Sequence, residues 1–451
     1  MGDSTSTAAD AKSVNLNDLL DQGGWGGFQK SILVLMALAY LVDGVANQSL
    51  GLAIPSLMQE WGLPREAFAS IAAIGLFGLT IGAVVGGMLG DRFGRRTMMV
   101  VSTGFFGLLT IAQAWATNPH ELLILRFFDG LGIGAMIPNG AAMISEFTPK
   151  RSRAVALAVG MTFIAVGGMI AGLIGNALLG PYGWEGLFVA LGGIAVAVSA
   201  LLLVALPESP IYLANSGASQ QRLRAIAQRC GLAVGKAGIT ANDPRAAATH
   251  RTPISALFTG GVASSTIFLW LAFFFCLLAN YSMFSWVPAM LAGLGFPPPV
   301  TGLGMTWLSF GGVVGGMGSG WLIQKFGSKI VVLTMSAGGV IAALALGTMI
   351  NGGPQPLSTI LGFLFVIGTF SSGLLNGLYT FSAFLYPDSA RGTGVGAAAA
   401  AGRIGAIASS YAGVIALGMG GASSYFVLIA GSLAVSLAGV ALIKRQIPKG
   451  G

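Results

Sequence analysis

Residues 146–153 read EFTPKRSR, and a related phrase, FLYPDSAR, occupies residues 384–391 in the second half of the chain. A second pair shows the same relationship, because GDRFGRR at residues 90–96 is matched by IQKFGSK at residues 323–329. Charged phrases that recur at corresponding places in two halves of an apolar chain indicate a duplicated bundle of membrane helices. Proteins built from such repeats carry a binding site between the repeats, near the middle of the bilayer.

The composition agrees with a membrane protein. The 451 residues are 54% hydrophobic and only 8% charged, whereas about a quarter of the residues in a soluble domain are charged. A single soluble core is excluded because the chain lacks the polar residues needed to cover it. The 70 glycines fit membrane helices, which use small residues to approach each other closely. The two cysteines, Cys230 and Cys276, predict no disulfide framework.

Apolar runs long enough to cross a bilayer, which takes about 20 residues, occur twelve times in the sequence. They lie at 31–56, 67–89, 97–117, 121–145, 154–178, 184–206, 265–291, 299–322, 330–350, 357–382, 393–417 and 422–443. We therefore predict an all-α integral membrane protein with twelve transmembrane helices in two pseudo-symmetric six-helix halves. The predicted units are a cytoplasmic segment (1–30), an N-terminal bundle (31–206), a cytoplasmic linker (207–264), a C-terminal bundle (265–443) and a cytoplasmic tail (444–451).

The distribution of basic residues predicts the orientation. Of the 23 Lys and Arg residues, Arg126 and Arg403 lie inside predicted spans and Arg65 lies in a loop on the opposite side. The others fall in the termini and in the loops after even-numbered spans, which places both termini in the cytoplasm. We expect a multi-pass protein of the bacterial inner membrane, with a retained first span. The net charge of +8 would face anionic headgroups of the lipid bilayer, so no nucleic-acid partner is expected.

Five ionisable residues in or near the spans are candidate functional residues, because each costs at least ~2.5–3.5 kcal/mol to insert. Asp43, near the middle of span 1, is the first candidate proton carrier, and Asp129 and Glu146 are further candidates for proton coupling. Alternatively, Asp43 only distorts its helix. Arg126 and Asp129 are three residues apart and can pair on one helix face, either as an internal salt bridge or as part of a substrate site.

Arg403 has no carboxylate within one turn of its own helix, so it needs an anion from elsewhere. A guanidinium fork suits a carboxylate substrate, and the alternative is that Arg403 reaches towards the membrane interface. The other candidate substrate contacts are aromatic or amide side chains in the spans, each of which can alternatively face lipid. They are Tyr40, Asn47, Asn280, Trp307, Asn376 and Tyr379.

The turn at residues 90–96, together with the twelve-span layout, resembles the signature of the major facilitator superfamily, and the resemblance covers nearly the whole chain. In that family the turn acts as a conformational latch. The resemblance therefore implies a gating role for Asp91 and Arg95, and we extend it to Arg153 and Arg391 in the repeated phrases. The alternative is a solvated basic turn that only follows the charge rule.

A finer resemblance comes from RFFDGLGIGAMIPN at residues 126–139, PESP at 207–210 and the Asp43-Gly44 pair. Together these motifs resemble the aromatic acid:proton symporter family, whose members carry benzoate-type carboxylates inward with a proton. That family has a second aspartate in span 1 where this chain has Ala46. It also has a glutamate at position 384, where this chain has Phe, and a threonine-like residue at the position of Asp129.

The resemblance implies a secondary active transporter that imports a small organic anion, an aromatic carboxylate, by proton symport with alternating access. The chain is expected to need no cofactor or metal, to draw energy from the proton gradient and to function as a monomer. An enzyme is not expected, because the predicted spans contain no histidine and no catalytic set. The alternatives within the superfamily are a sugar or other metabolite:proton symporter and a drug or metabolite exporter.

Overall fold

The computed structural model describes residues 14–216, 220–232, 239–240, 254–258, 263–386 and 390–443. The predicted cytoplasmic tail, residues 444–451, lies outside the described residues, as do residues 387–389 of the second repeated phrase.

Long α-helices make up nearly all of the described structure. They are α2 (Gly27–Trp61), α3 (Glu66–Phe93), α4 (Arg95–Gln113), α5 (Pro119–Phe147), α6 (Lys150–Ala205), α9 (Ala263–Gly293), α10 (Pro298–Phe326), α11 (Ser328–Asn351), α12 (Leu357–Leu385) and α13 (Arg391–Leu442). Seven of them are long and apolar enough to cross a membrane by length and composition. The chain is therefore a multi-pass, all-α membrane protein.

Two of these helices are each a pair of consecutive segments. In α6 the backbone breaks at Gly183, with φ of 64°, and in α13 it breaks at Gly420 and Gly421, the latter with φ of 62°. Glycine adopts positive φ with little steric penalty, so a short reversal fits at each position. With these breaks the described residues contain twelve long helical segments, which agrees in number with the twelve predicted spans.

The two halves repeat one packing pattern. In the first half α2 packs on α6 and α3 packs on α5; in the second half α9 packs on α13 and α10 packs on α12. Thus the first helix of each half contacts the fifth, and the second contacts the fourth. Between the halves α3 contacts α13, α10 contacts α6 and α2 contacts α9. This exchange of equivalent contacts is the pseudo-symmetry that the repeated phrases predict.

Glycines let the helices within a half approach closely. A Cβ added to Gly44 of α2 would lie 1.9 Å from the carbonyl oxygen of Ile164, and one added to Gly167 of α6 would lie 1.9 Å from that of Leu41. Neither position can accept a larger residue unless the backbone moves. Close helix contact of this kind is typical of membrane bundles.

The halves touch mainly at one end of the bundle. We call the end where α2 passes to α3 the Gly62 end, and the end where α3 passes to α4 the Gly94 end. A Cβ on Gly302 of α10 would lie 2.4 Å from the carbonyl oxygen of Gly172 of α6, towards the Gly62 end. Gly320 lies about five turns further along the same face of α10, yet a Cβ there would meet no described atom within 4 Å. The seam between α6 and α10 therefore opens towards the Gly94 end.

Shorter elements lie at the Gly94 end, where the 3-10 helix packs on α9 and α13 of the second half and the others lie against the first half. They are β1 (Val14–Asn15), α1 (Leu16–Gln22), α7 (Pro210–Asn215), α8 (Gln220–Arg229), β2 (Ile239–Thr240) and a 3-10 helix (Ile254–Phe258). The two strands pair in parallel, with Val14 opposite Ile239. Leu20 of α1 and Leu223 of α8 are buried in the same apolar cluster as residues of the first half. The described residues of the predicted segment 1–30 thus pack against those in the first part of the predicted linker.

Candidate functional site

A cavity lies inside the bundle between α2, α3, α5 and α9. Its polar wall is formed by Asn47 of α2, Arg126 and Asp129 of α5, and Tyr281 and Ser285 of α9. Its apolar lining includes Leu50, Ile54, Leu76, Ile133 and Phe284. A mostly apolar concave site with a few polar groups is the usual form of a small-molecule site. Of the sequence-predicted residues, the structure brings Asn47, Arg126 and Asp129 together on its wall.

Arg126 and Asp129 form a buried ion pair. Arg126 Nη1 lies 2.5 Å from Asp129 Oδ2, and the two side chains are 8% and 1% exposed. Helix α4 holds the carboxylate from the other side, since Thr110 Oγ1 donates to Oδ1 at 3.2 Å and Gln113 Nε2 donates to Oδ2 at 3.2 Å. Arg126 Nη1 also donates to Ser49 Oγ of α2 at 3.2 Å. The charge of Arg126 is thus compensated inside the first half.

Asp43 lies on α2 and is 1% exposed. Its Oδ1 accepts a hydrogen bond from Asn47 Nδ2 at 3.0 Å, whereas its Oδ2 is buried and has no partner among the described residues. Asn47 follows Asp43 by one helical turn, so the amide stabilises one oxygen of the carboxyl group and leaves the other free. Asn47 thus hydrogen-bonds to Asp43 and also lines the cavity, and its contact with substrate stays a prediction.

Arg403, on α13 of the second half, interacts electrostatically with Asp43. No carboxylate of the described residues forms an ion pair with it, and its Nη1 is buried without a hydrogen-bond partner among them. The buried Nη1 and the interaction with Asp43 place the guanidinium towards the inside of the protein. Its role in substrate binding stays a prediction.

Two predicted substrate contacts, Tyr40 and Asn280, lie elsewhere in the bundle. Tyr40 is 0% exposed and its hydroxyl donates to the carbonyl oxygen of Ile137 at 3.0 Å, so it joins α2 to α5. Asn280 is buried, and its Nδ2 donates back to the carbonyl oxygen of Cys276 at 2.9 Å. Both side chains are occupied by contacts within the bundle. Neither lines the cavity in this conformation.

Trp307 is another predicted substrate contact, and it does not line the cavity in this conformation. It is 41% exposed and belongs to a row of exposed apolar side chains on α10 with Phe310, Val314, Met317 and Trp321. Their spacing of three and four residues places them on one helix face. In a membrane protein an exposed apolar face suits lipid. The position of Trp307 therefore favours the alternative that its side chain faces lipid.

Asn376 and Tyr379 lie on one face of α12. Tyr379 is 38% exposed, yet it has electrostatic interactions with Arg403, Tyr281 and Cys276 and an edge contact with the ring of Phe273 at 5.1 Å. These neighbours place Tyr379 beside Arg403, inside the bundle. Asn376 is exposed and faces Gly316 of α10. Both remain predicted substrate contacts.

Glu146 lies away from the cavity, and its role in proton coupling stays a prediction. It is 17 residues after Asp129 on α5, roughly 25 Å along the helix at 1.5 Å per residue. Its Oε1 lies 3.7 Å from Arg95 Nε, and its Oε2 accepts a hydrogen bond from Ser209. Arg95 also pairs with Asp91. Glu146 thus belongs with the predicted gating residues at the Gly94 end.

The PESP phrase completes this network. Glu208 Oε1 accepts from the backbone N–H of Arg96 at 3.0 Å and from that of Ser209 at 2.9 Å. The carboxylate therefore lies at the N-terminus of α4, where the helix dipole favours a negative charge. Ser209 caps α7 by accepting from the N–H of Tyr212 at 3.0 Å. These contacts join the turn at residues 90–96 to α5 and to the start of the linker.

The other two predicted gating residues have different surroundings. Arg153 Nη2 donates to the carbonyl oxygen of Thr148 at 3.5 Å, close to the start of α6. Arg391 is the exposed first residue of α13. Their gating role stays a prediction.

Several polar residues of the site escaped the sequence analysis. Ser49, Thr110 and Gln113 surround the Arg126 pair, and Ser285 lines the cavity. Thr110 and Gln113 are three residues apart within an apolar run, a spacing that puts them on one face. That spacing indicates a polar face on α4. The packing of α4 against α5 decides that this face meets Asp129.

The arrangement of two homologous halves around a charged internal cavity agrees with the comparison to known families. The family model of the Major Facilitator Superfamily matches residues 36–300 and 269–450. The chain belongs to the Major Facilitator Superfamily. Relatives in this family are transporters, so the protein is a transporter and not an enzyme.

Relatives of known name cover nearly the whole chain. A gallate transporter of Pseudomonas putida is 32% identical over 412 residues, with 90% of each chain covered. A 3-(3-hydroxy-phenyl)propionate transporter of Escherichia coli is 31% identical over 414 residues, covering 91% of this chain and 93% of the other. A 4-hydroxybenzoate transporter of Pseudomonas putida is 29% identical, with 91% of each chain covered. These similarities confirm the finer resemblance to aromatic acid:proton symporters.

Solved structures show the same fold. The xylose transporter XylE from E. coli in a partially occluded inward open conformation superposes with a TM-score of 0.72 and 19% identity. The superposition covers 93% of this chain and 99% of that one. The two-half arrangement is therefore that of the superfamily.

Proposed function

We propose that this transporter imports an aromatic carboxylate together with a proton. The main observation in support is that Asp43 Oδ2 and Arg403 Nη1 are both buried without a partner among the described residues. They belong to opposite halves and interact electrostatically. An unpartnered guanidinium N–H and an unpartnered carboxyl oxygen at the boundary of two moving halves are suited to bind an anion and a proton, respectively.

Arg403 is the better candidate for the substrate carboxylate. Arg126 lines the cavity, but its charge is already compensated by Asp129. The Nη1 group of Arg403 has no hydrogen-bond partner among the described residues, and the guanidinium fork matches both oxygens of a carboxylate. Arg126 then contributes the polar wall of the site, held in place by Ser49 and Asp129.

Asp43 is the proposed proton carrier. When Asp43 is protonated and the substrate anion neutralises Arg403, the loaded site has no uncompensated charge at this point. Such a site can pass through an occluded state without exposing an unpaired charge to a low-dielectric interior. Empty and deprotonated, Asp43 can instead compensate Arg403. Both the loaded and the empty transporter can therefore change conformation, but a half-loaded one retains a buried net charge.

The orientation proposed for the protein places the Gly94 end in the cytoplasm, because the basic loops lie there. The conformation seen here, closed at the Gly62 end and open at the Gly94 end, then faces inward. We place the protein in the bacterial inner membrane with both termini cytoplasmic. It would function as a monomer without a cofactor and use the proton gradient as its energy source.

The names of the relatives support an aromatic acid as cargo. Gallate, 4-hydroxybenzoate and 3-(3-hydroxyphenyl)propionate all combine an aromatic ring with a carboxylate. The apolar lining of the cavity and the free guanidinium N–H of Arg403 fit these two parts.

The test is uptake by the purified protein in liposomes with an imposed pH gradient, acidic outside. Labelled benzoate or 4-hydroxybenzoate should accumulate above its equilibrium level, and a protonophore should abolish the accumulation. Xylose is the neutral control and should not accumulate. Accumulation of xylose but of neither acid, or acid accumulation that ignores the protonophore, would contradict the proposal.

A further inference from the structure

Two hydroxyl groups on α9 face the cavity. Tyr281 and Ser285 are four residues apart, so they lie on one face of the helix, and both line the cavity opposite Asn47 and Arg126. Neither hydroxyl forms a hydrogen bond among the described residues, and both residues are partly exposed. Both are therefore available to a ligand.

The neighbouring polar groups of α9 are arranged differently. Asn280 is buried and bonds to the carbonyl oxygen of Cys276 on its own helix. Ser282 is 0% exposed and faces α13, where a Cβ on Gly413 would lie 2.6 Å from its Oγ. These side chains serve the packing of the second half. Tyr281 and Ser285 are the cavity-facing pair.

The cavity wall around the two hydroxyls is aromatic and apolar. Phe284 lines the cavity beside both residues, and the rings of Tyr281 and Phe284 meet edge to face with centroids 5.9 Å apart. Leu50 and Ile54 of α2 supply the facing apolar surface. Aromatic rings favour edge and offset contacts of this kind.

Tyr281 and Arg403 each interact electrostatically with Tyr379, so the α9 hydroxyls and the proposed anion site share one neighbouring residue.

We propose that Tyr281 and Ser285 are specificity-determining residues that bind the ring hydroxyls of hydroxylated aromatic acids. This inference rests on the proposed function. A site that hydrogen-bonds a substrate hydroxyl discriminates against the analogue that lacks it, because its own polar groups are then left unpaired. Tyr281 and Ser285 are both partly exposed and not sealed from water, so each hydrogen bond should contribute about a 3- to 10-fold preference.

The experiment compares competition by benzoate and by 4-hydroxybenzoate or 3,4-dihydroxybenzoate against uptake of labelled 4-hydroxybenzoate. The wild type should prefer the hydroxylated acids. Tyr281→Phe and Ser285→Ala should each lower that preference about 3- to 10-fold while leaving the affinity for benzoate within about 2-fold. Tyr411→Phe is the matched control, since Tyr411 lies on the exposed face of α13 with Ile404 and Ile415 and should change nothing.

The outcomes separate the two proposals. If the wild type transports none of these acids, the proposed function fails and this inference fails with it. If the wild type transports them and neither variant alters the preference, only this inference is overturned. Equal loss of affinity for benzoate and for its hydroxylated analogues in both variants also overturns it, because that result indicates a structural role.

Discussion

Gln48 Nε2 of α2 donates a hydrogen bond of 3.1 Å to Ser309 Oγ of α10, across the boundary between the two halves. Both side chains are 3% exposed. The bond lies within the seam that closes the Gly62 end, where Gly168 of α6 packs against both residues. We predict that it breaks when that end opens and therefore stabilises the conformation seen here over the opposite one.

Removing this bond should shift the protein towards the state that is open at the Gly62 end. A buried hydrogen bond contributes about 0.5–1.5 kcal/mol net, so Ser309→Ala should change the ratio of the two states roughly 2- to 10-fold. A cysteine at Ile54, which lines the cavity, should then react faster with an impermeant thiol reagent added from outside. Ser336→Ala is the control, because Ser336 bonds only within α11. An unchanged rate in Ser309→Ala would show that the bond does not hold the gate.

Replacing the proposed proton carrier should uncouple transport. Asp43→Asn cannot release a proton, so gradient-driven accumulation should be lost, whereas exchange of substrate at equal pH should remain. Uptake and exchange in liposomes measure both. Accumulation that persists in Asp43→Asn would transfer the role to Asp129.

Asp129→Asn provides the contrast. This change leaves Arg126 uncompensated in a buried place, which typically costs 3–5 kcal/mol. We therefore expect a lower yield of folded protein and a lower melting temperature, effects that Asp43→Asn should not show.

The guanidinium of Arg403 should be needed for its shape as well as its charge. Arg403→Lys keeps the charge but loses the fork, and the loss of one charge-assisted hydrogen bond should weaken binding of 4-hydroxybenzoate roughly 10- to 100-fold. Isothermal titration at constant pH measures the affinity. Affinity equal to the wild type would remove Arg403 from the substrate site.

The network at the Gly94 end should act on conformational balance. Asp91→Asn removes the partner of Arg95 but leaves its contact with Glu146. Transport should slow, while ligand affinity should change only by the factor that the competent population changes. Arg92→Gln, in the same turn, is the control. Normal transport in Asp91→Asn would mean that the turn has no gating role and only helps to orient the protein in the membrane.

Docking of the N-terminal segment should depend on one carboxylate. Asp21 Oδ2 lies 2.9 Å from Lys150 Nζ, and Asp21 Oδ1 accepts from the backbone N–H of Lys150 at 2.8 Å. Partial burial opposes ionisation, but the hydrogen bonds and charge of Lys150, with the charge of Arg153, hold the pKa of Asp21 below its usual value. The stabilisation is therefore complete above about pH 4, the usual pKa of an aspartate, and is lost as the pH falls through the lower, folded value.

Asp21→Asn should consequently loosen α1 at neutral pH. A solvent-accessible ion pair contributes about 0.2–1 kcal/mol, so amide hydrogen exchange in α1 should accelerate roughly 1.5- to 5-fold at pH 7. Asp18→Asn, on the same helix, should leave exchange unchanged. Equal exchange in Asp21→Asn and the wild type would mean that the apolar contacts of Leu20 alone hold the segment.

The sequence by itself determined the architecture and the short set of charged residues. Twelve apolar runs can satisfy their backbone groups in a bilayer only as helices, and the paired phrases at residues 90–96 and 323–329 require two similar halves. The high energetic cost of a charge in a span singled out Asp43, Arg126, Asp129 and Arg403 before any contact was known.

Tertiary structure alone decided which of these charged groups are compensated by a hydrogen-bonded partner. The sequence places Asp129 within reach of Arg126, but only the packing of α4 supplies Thr110 and Gln113 to hold it there. Likewise, the periodicity of α10 does not say whether Trp307 or Gly302 faces the other half. Side-chain periodicity defines faces, whereas the partner of each face is set by contacts between residues far apart in the chain, and a single sequence does not encode those contacts locally.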